Sequence, residues 1–241
     1  MPSQNSKSQR GGAPAALSFF ATHLHSAVIA GVSYASFGNL VLNPTSTLLS
    51  TLPLLTVAQA VYVVLCLDGN GATKGKRPRV GKKGEQLAAA TGISNKLLTA
   101  FLSLLLASTV GTVILGLCMV LFGAPVTSHL SHTTLCAAHM ALLVAFPLIY
   151  TNGVDGQKWR DIVSVTLPID EAFGGALGAL VGGWLGAVPI PLDWDREWQK
   201  WPVTIVTGVY IGHLVGKSLG SVFQGKKLPF LGQLSSWILF E

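Results

Sequence analysis

Apolar residues in this chain fall into long blocks, without the two-residue alternation of a half-buried strand or the narrow stripe of a surface helix. Six blocks run from about Leu17 to Phe37, Ser46 to Leu67, Leu97 to Phe122, Thr133 to Tyr150, Ala172 to Ile190 and Val203 to Phe223. At ~1.5 Å per residue, helices of these lengths cross ~30 Å of hydrocarbon. The pattern predicts an all-α membrane protein, a bundle of about six transmembrane helices. A further stretch, Leu228 to Phe240, is too short to span and is interrupted by Gly232, Gln233, Ser235 and Ser236. It is expected in the interface or against the bundle. Lys7 and Arg10 precede the first block much as in a signal peptide, but its length and lack of a small-x-small cleavage site predict a retained helix.

Composition agrees: 50% of the 241 residues are hydrophobic, 11% are charged, and mean hydropathy is +0.54. Short connectors leave no room for a second folded domain. The expected organisation is a tail at 1–16, a membrane domain at 17–223 with a basic loop at 68–96, and a tail at 224–241. Cys66, Cys118 and Cys136 lie in or at the ends of apolar blocks without paired spacing, which predicts packing rather than a disulfide or zinc site.

With six spans, thirteen Lys and Arg residues fall on the side of the two tails and the second and fourth connectors, against Arg196 and Lys200 on the other. Positive residues hold their connectors in the cytosol, so both termini are expected there. This asymmetry accounts for the net charge of +6 without nucleic acid. The cluster from Lys74 to Lys83 reads as a topology anchor, and anionic lipid is its alternative.

The fifth block carries Gly174, Gly178, Gly182 and Gly186, and the sixth carries Gly208, Gly212, Gly216 and Gly220. Four-residue spacing makes one face of each helix almost bare backbone, which lets helices approach closely where lipid supplies no hydrophobic drive. A tight hairpin is expected; the alternative leaves one ladder for a partner's helix. Asp170 and Glu171 suit the helix start as caps. Tyr210, His213 and Lys217 fall within about 60° on the sixth helix. Lys217 is expected to snorkel to the cytosolic end, while His213 near the midplane suits an interhelical hydrogen bond or contact with a lipid or partner. His129, His132 and His139 lack acidic or cysteine company, so no metal is predicted.

Between the ladders, Trp184 to Pro202 reads W-L-G-A-V-P-I-P-L-D-W-D-R-E-W-Q-K-W-P. Tryptophans at a water boundary are ordinarily anchors and prolines stiffen a turn, which explains about half of the pattern. The remainder, aromatics with Arg196, is the composition of protein contact centres. Asp193 and Asp195 are a weaker acid-base pair, because residues two apart need not face each other. No metalloprotease, hydrolase or phosphate-loop motif occurs, no multi-aspartate array suits magnesium, and no cofactor is expected.

The run P-I-P-L-D-W-D-R-E-W-Q-K-W-P at Pro189 to Pro202, with G-G-W-L-G-A at Gly182 to Ala187 and F-G-A-P at Phe122 to Pro125, closely resembles the signature of the phosphatidylinositol-glycan biosynthesis class F (PIG-F) family. Glu197 stands where that pattern has proline. The resemblance implies a multi-pass endoplasmic reticulum protein of glycosylphosphatidylinositol (GPI) anchor assembly. Its implied role is the noncatalytic, stabilising subunit of the ethanolamine phosphate transferases, which move phosphoethanolamine onto mannoses of the GPI precursor. Catalytic transferase subunits are then the expected partners. Trp184, Pro191, Asp193, Trp194, Asp195, Arg196, Trp198, Trp201 and His213 are candidates for contacting them or a membrane lipid, phosphatidylethanolamine or the GPI precursor. The alternative function is a membrane enzyme or lipid-handling protein that presents phosphatidylethanolamine with Asp193, Asp195 and His213.

Overall fold

A computed structural model describes residues 15–69 and 82–226, with side chains from residues 20–69 and 92–226. The N-terminal tail to residue 14, most of the basic connector, and the stretch from Leu228 to Phe240 lie outside it. The described residues form helices and connections, with no strand among them.

Helix α1 (Ala15–Leu42) meets α2 (Pro44–Cys66) at Asn43, where Pro44 starts the new helix and its missing N–H costs nothing. Helix α3 (Lys82–Leu106) continues through a π-helical turn, Ala107–Gly111, into α4 (Thr112–Leu121). It therefore starts within the basic connector, fifteen residues before the expected block at Leu97. Helix α5 (Leu130–Met140) likewise passes through a π turn, Ala141–Ala145, into α6 (Phe146–Asn152). A methyl on Gly111 would stand 3.0 Å from the Ala145 methyl, so the two widened turns press against each other through small residues.

The block Leu130–Asn152 is 83% buried, against 11–28% for Phe20–Leu42, Pro44–Cys66 and Gly92–Leu121. The fourth apolar block is thus the axis of the bundle, and the first three present apolar faces outward. A short amphipathic helix α7 (Gly156–Val163), capped by the Asp155 carboxylate, was not expected from the apolar blocks. Helices α8 (Glu171–Ala187) and α9 (Val203–Val222) complete the fold.

Among the described residues, the four blocks just named are long and apolar enough to cross a membrane. Helices α8 and α9 are not among them: α8 has 17 residues, and α9 carries His213 and Lys217 within its apolar run. The expected six spans are therefore met by length and apolarity in four.

Candidate functional site

Helices α8 and α9 pack along their whole length, and the glycines are the reason. A methyl on Gly178 would overlap the Gly212 carbonyl, one on Gly182 the Gly208 carbonyl, and one on Gly212 the Gly178 carbonyl. Gly174 meets Gly216 and Gly220, while Gly186 meets the Thr204 backbone. Each ladder is the other's partner, so the alternative in which one faces another protein does not hold. Asp170 caps α8 as expected, accepting from the Phe173 amide at 2.8 Å; burial nonetheless pushes its carboxyl above the usual range.

Where the helices meet, their outer side forms an apolar groove of about 790 Å³. The glycine seam contributes to its lining. Leu177, Val181 and Leu185 flank it from α8, and Ile211, Val215 and Leu219 from α9. It reaches from Ile169 and Phe223 at one end to Pro189 and Trp198 at the other.

The turn between the helices is ordered by a residue that the sequence pattern did not single out. Gln199 is buried, its amide donating to the carbonyls of Pro189 (2.8 Å) and Leu192 (2.9 Å), while its Oε1 accepts from the Arg196 amide at 2.8 Å. One side chain therefore ties together both arms of the turn. Its signal was that of an uncharged, long, hydrogen-bonding residue amid charged neighbours. Around this brace the Trp194 and Trp198 rings lie 5.9 Å apart and remain 54% and 36% exposed. Asp193, Asp195 and Arg196 are exposed, and Lys200 pairs with Glu197. With Trp201 they line a polar hollow of about 330 Å³. Trp184 and Pro191 are also exposed but line neither hollow nor groove.

His213 is not part of this turn. It is 2% exposed, and a methyl on Gly175 would lie 3.1 Å from its ring. The structure therefore does not join it to Asp193 and Asp195. Lys217, expected to snorkel, is instead 2% exposed: its ammonium donates to His25 Nδ1 (2.8 Å) and the Thr22 carbonyl (3.3 Å) and lies 3.7 Å over the Tyr62 ring. Tyr62 donates to Glu171 at 3.2 Å. The ammonium has only donors to offer, so His25 Nδ1 accepts and the ring proton belongs on Nε2. His25 Nε2, both polar atoms of the Gln59 amide and both nitrogens of His213 are buried without a hydrogen-bond partner.

Tyr210, grouped with these residues on the wheel, bonds instead to His139 Nδ1 at 2.7 Å, and His139 Nε2 donates to the Leu48 carbonyl at 3.0 Å. His139 is thus committed to packing, while the His129 and His132 rings stand 5.1 Å apart. Among the described residues no group of three potential ligands gathers for a metal. Cys136 is buried, Cys66 half-buried and Cys118 exposed.

Comparison with known proteins adds an independent line. The model of the GPI biosynthesis protein family Pig-F matches residues 24–221. The chain is 47% identical over 206 residues to a Neurospora crassa protein named glycosylphosphatidylinositol anchor biosynthesis protein 11, covering 85% of this chain and 75% of that protein. An Aspergillus fumigatus protein of the same name is 41% identical, covering 86% of this chain and 81% of its own length. A Schizosaccharomyces pombe protein named PIGF/3-ketodihydrosphingosine reductase fusion protein is 28% identical across 80% of this chain and 35% of its own. No solved structure matches.

Proposed function

Because the chain belongs to the PIG-F family of GPI biosynthesis proteins and acts in that biosynthesis, we propose that it is a noncatalytic subunit that binds and stabilises the ethanolamine phosphate transferases of GPI assembly. It works in the endoplasmic reticulum membrane, and its partners are the catalytic transferase chains. The turn between α8 and α9 is the contact surface, with Trp194, Arg196 and Trp198 reaching the partner.

One observation carries this reading: two indoles stay half-exposed on a turn that Gln199 holds in place. Exposed aromatics on a pre-ordered surface lose little conformational freedom on binding, which favours recognition over simple anchoring. The hairpin supports it, since two helices locked backbone to backbone fix where the turn is presented.

Replacing Arg196 and Trp198 together by alanine is expected to lower recovery of the catalytic transferase in a mild-detergent pull-down at least tenfold, the scale of one contact hot spot of ~2 kcal/mol or more. Full recovery of the partner with lost transferase activity would refute the docking role and point to chemistry or lipid delivery at the turn.

A further inference from the structure

The groove beside the glycine seam has the dimensions of a lipid chain. From Gly174 to Gly186 it extends over twelve residues, about 18 Å at ~1.5 Å each. That is slightly more than half of a ~30 Å hydrocarbon core, the depth of one leaflet. Spread over that length, about 790 Å³ gives an opening roughly 7 Å across. An α-helix with side chains, ~10–12 Å wide, does not enter it, and a single hydrocarbon chain does.

Where the groove meets the turn, two polar atoms lack partners. Thr204 lines the groove and is 8% exposed, yet its hydroxyl bonds to nothing. Thr207 and Ser218 of the same helix instead donate back to the Val203 and Leu214 carbonyls. Three residues before Thr204, Trp201 lines the polar hollow with its buried indole N–H also unpaired. Buried polar atoms are nearly always satisfied in folded proteins, so an unmatched pair marks a missing partner. An indole N–H only donates, and that partner must carry an acceptor oxygen.

The hollow itself offers both signs of charge. Lys200 is paired with Glu197, which leaves the Arg196 guanidinium for an anion and the Asp193 and Asp195 carboxylates for a cation. Groove and hollow share one turn: Pro189 and Val203 line the first, Ile190 and Trp201 the second.

We propose that this face binds one zwitterionic glycerophospholipid, with an acyl chain along the glycine seam, ester or phosphate oxygens at Thr204 and Trp201, and the head group in the hollow. The site goes beyond the docking role and does not depend on it. A lipid held there is part of the surface that any partner of the turn meets.

The test uses the full chain purified in detergent, titrated separately with phosphatidylethanolamine, phosphatidylcholine and phosphatidylglycerol, with occupancy read by native mass spectrometry. A 1:1 complex is expected with the two zwitterionic lipids, at least several-fold tighter than with phosphatidylglycerol. Thr204→Val and Trp201→Phe keep the shape and remove one polar group each, and each is expected to weaken binding roughly three- to tenfold. Unchanged affinity in both variants, or phosphatidylglycerol binding equally well, overturns the assignment. A photoreactive residue at Ile211, on the groove wall, supplies a measurement independent of those variants. In membranes it is expected to capture a lipid chain, and capture of a polypeptide in its place overturns the proposal.

Discussion

Two buried polar side chains near the same cluster predict opposite responses to substitution. Lys217 has every donor engaged, by His25, Thr22 and the Tyr62 ring, so Lys217→Ala removes those interactions and leaves a hole. A loss of about 3 kcal/mol is expected, within the ~2–5 kcal/mol range of large-to-small core changes. The Gln59 amide is fully buried with no partner, and Gln59→Leu keeps much of its volume while removing two unpaired polar atoms. That variant is expected to gain about 1 kcal/mol, read as a higher midpoint of thermal unfolding in detergent. A destabilised Gln59→Leu would instead mean that water pairs the amide. The chain pattern marked Lys217 and His213 as costly groups in a membrane, but a helical wheel orders residues around one helix only. Their neighbours come from α1 and α2, with Lys217 and His25 lying 192 positions apart, and no spacing in α9 reveals them.

At the scale of elements, the ladders give the sharpest contrast between equivalent substitutions. Gly178→Ala or Gly212→Ala would drive a methyl into the facing carbonyl, and because the obstacle is backbone neither helix can yield locally. The hairpin must splay, at a cost of about 1–3 kcal/mol for overpacking. Gly31 and Gly38 have nothing within 4 Å of the same added methyl, and there alanine is expected to stabilise α1 by about 0.5–1 kcal/mol. Thermal midpoints of the four single variants check both signs; equal shifts at Gly38 and Gly178 would deny the backbone contact. The four-residue interval made this bare face legible, and two ladders of equal length in consecutive helices matched each other. The π turns were not legible, since a widened turn leaves the apolar block unbroken. Nor was the early start of α3, where Lys82 to Lys96 reads as a polar connector although it is helical. The α7 helix was overlooked because an eight-residue amphipathic segment makes no long apolar block, although the Asp155 cap was present in the sequence.

For the whole molecule, the order of apolar blocks carried over into the order of helices, while their arrangement did not. Leu130–Asn152 is less hydrophobic than Gly92–Leu121, at mean hydropathy 1.7 against 2.4, yet it is the buried one. The helix facing lipid on most sides needs the most apolar surface, whereas the axial helix can hold His139 and Asn152 against protein partners. Hydropathy therefore ranks lipid exposure, and burial has to come from packing. The uneven division of cations is the remaining whole-chain property, and it sets which compartment the docking turn faces. Arg196 and Lys200 are the only Lys or Arg residues between α8 and α9, against seven between Asp68 and Lys96, so the positive-inside bias puts the turn opposite the basic connector. An Asn-x-Thr acceptor placed in a lengthened turn between Pro191 and Asp193 is expected to receive sugar in cells, and the same acceptor placed within residues 70–81 is not. The native chain does not interfere with this assay, because its Asn43 is followed by Pro44 and no other asparagine has the acceptor pattern. Sugar on the basic connector alone would invert the topology and expose Trp194, Arg196 and Trp198 to the cytosol. A transferase surface on the lumenal side would then be out of their reach, and loss of the partner in the Arg196 and Trp198 variant would have to come from contact on the cytosolic side.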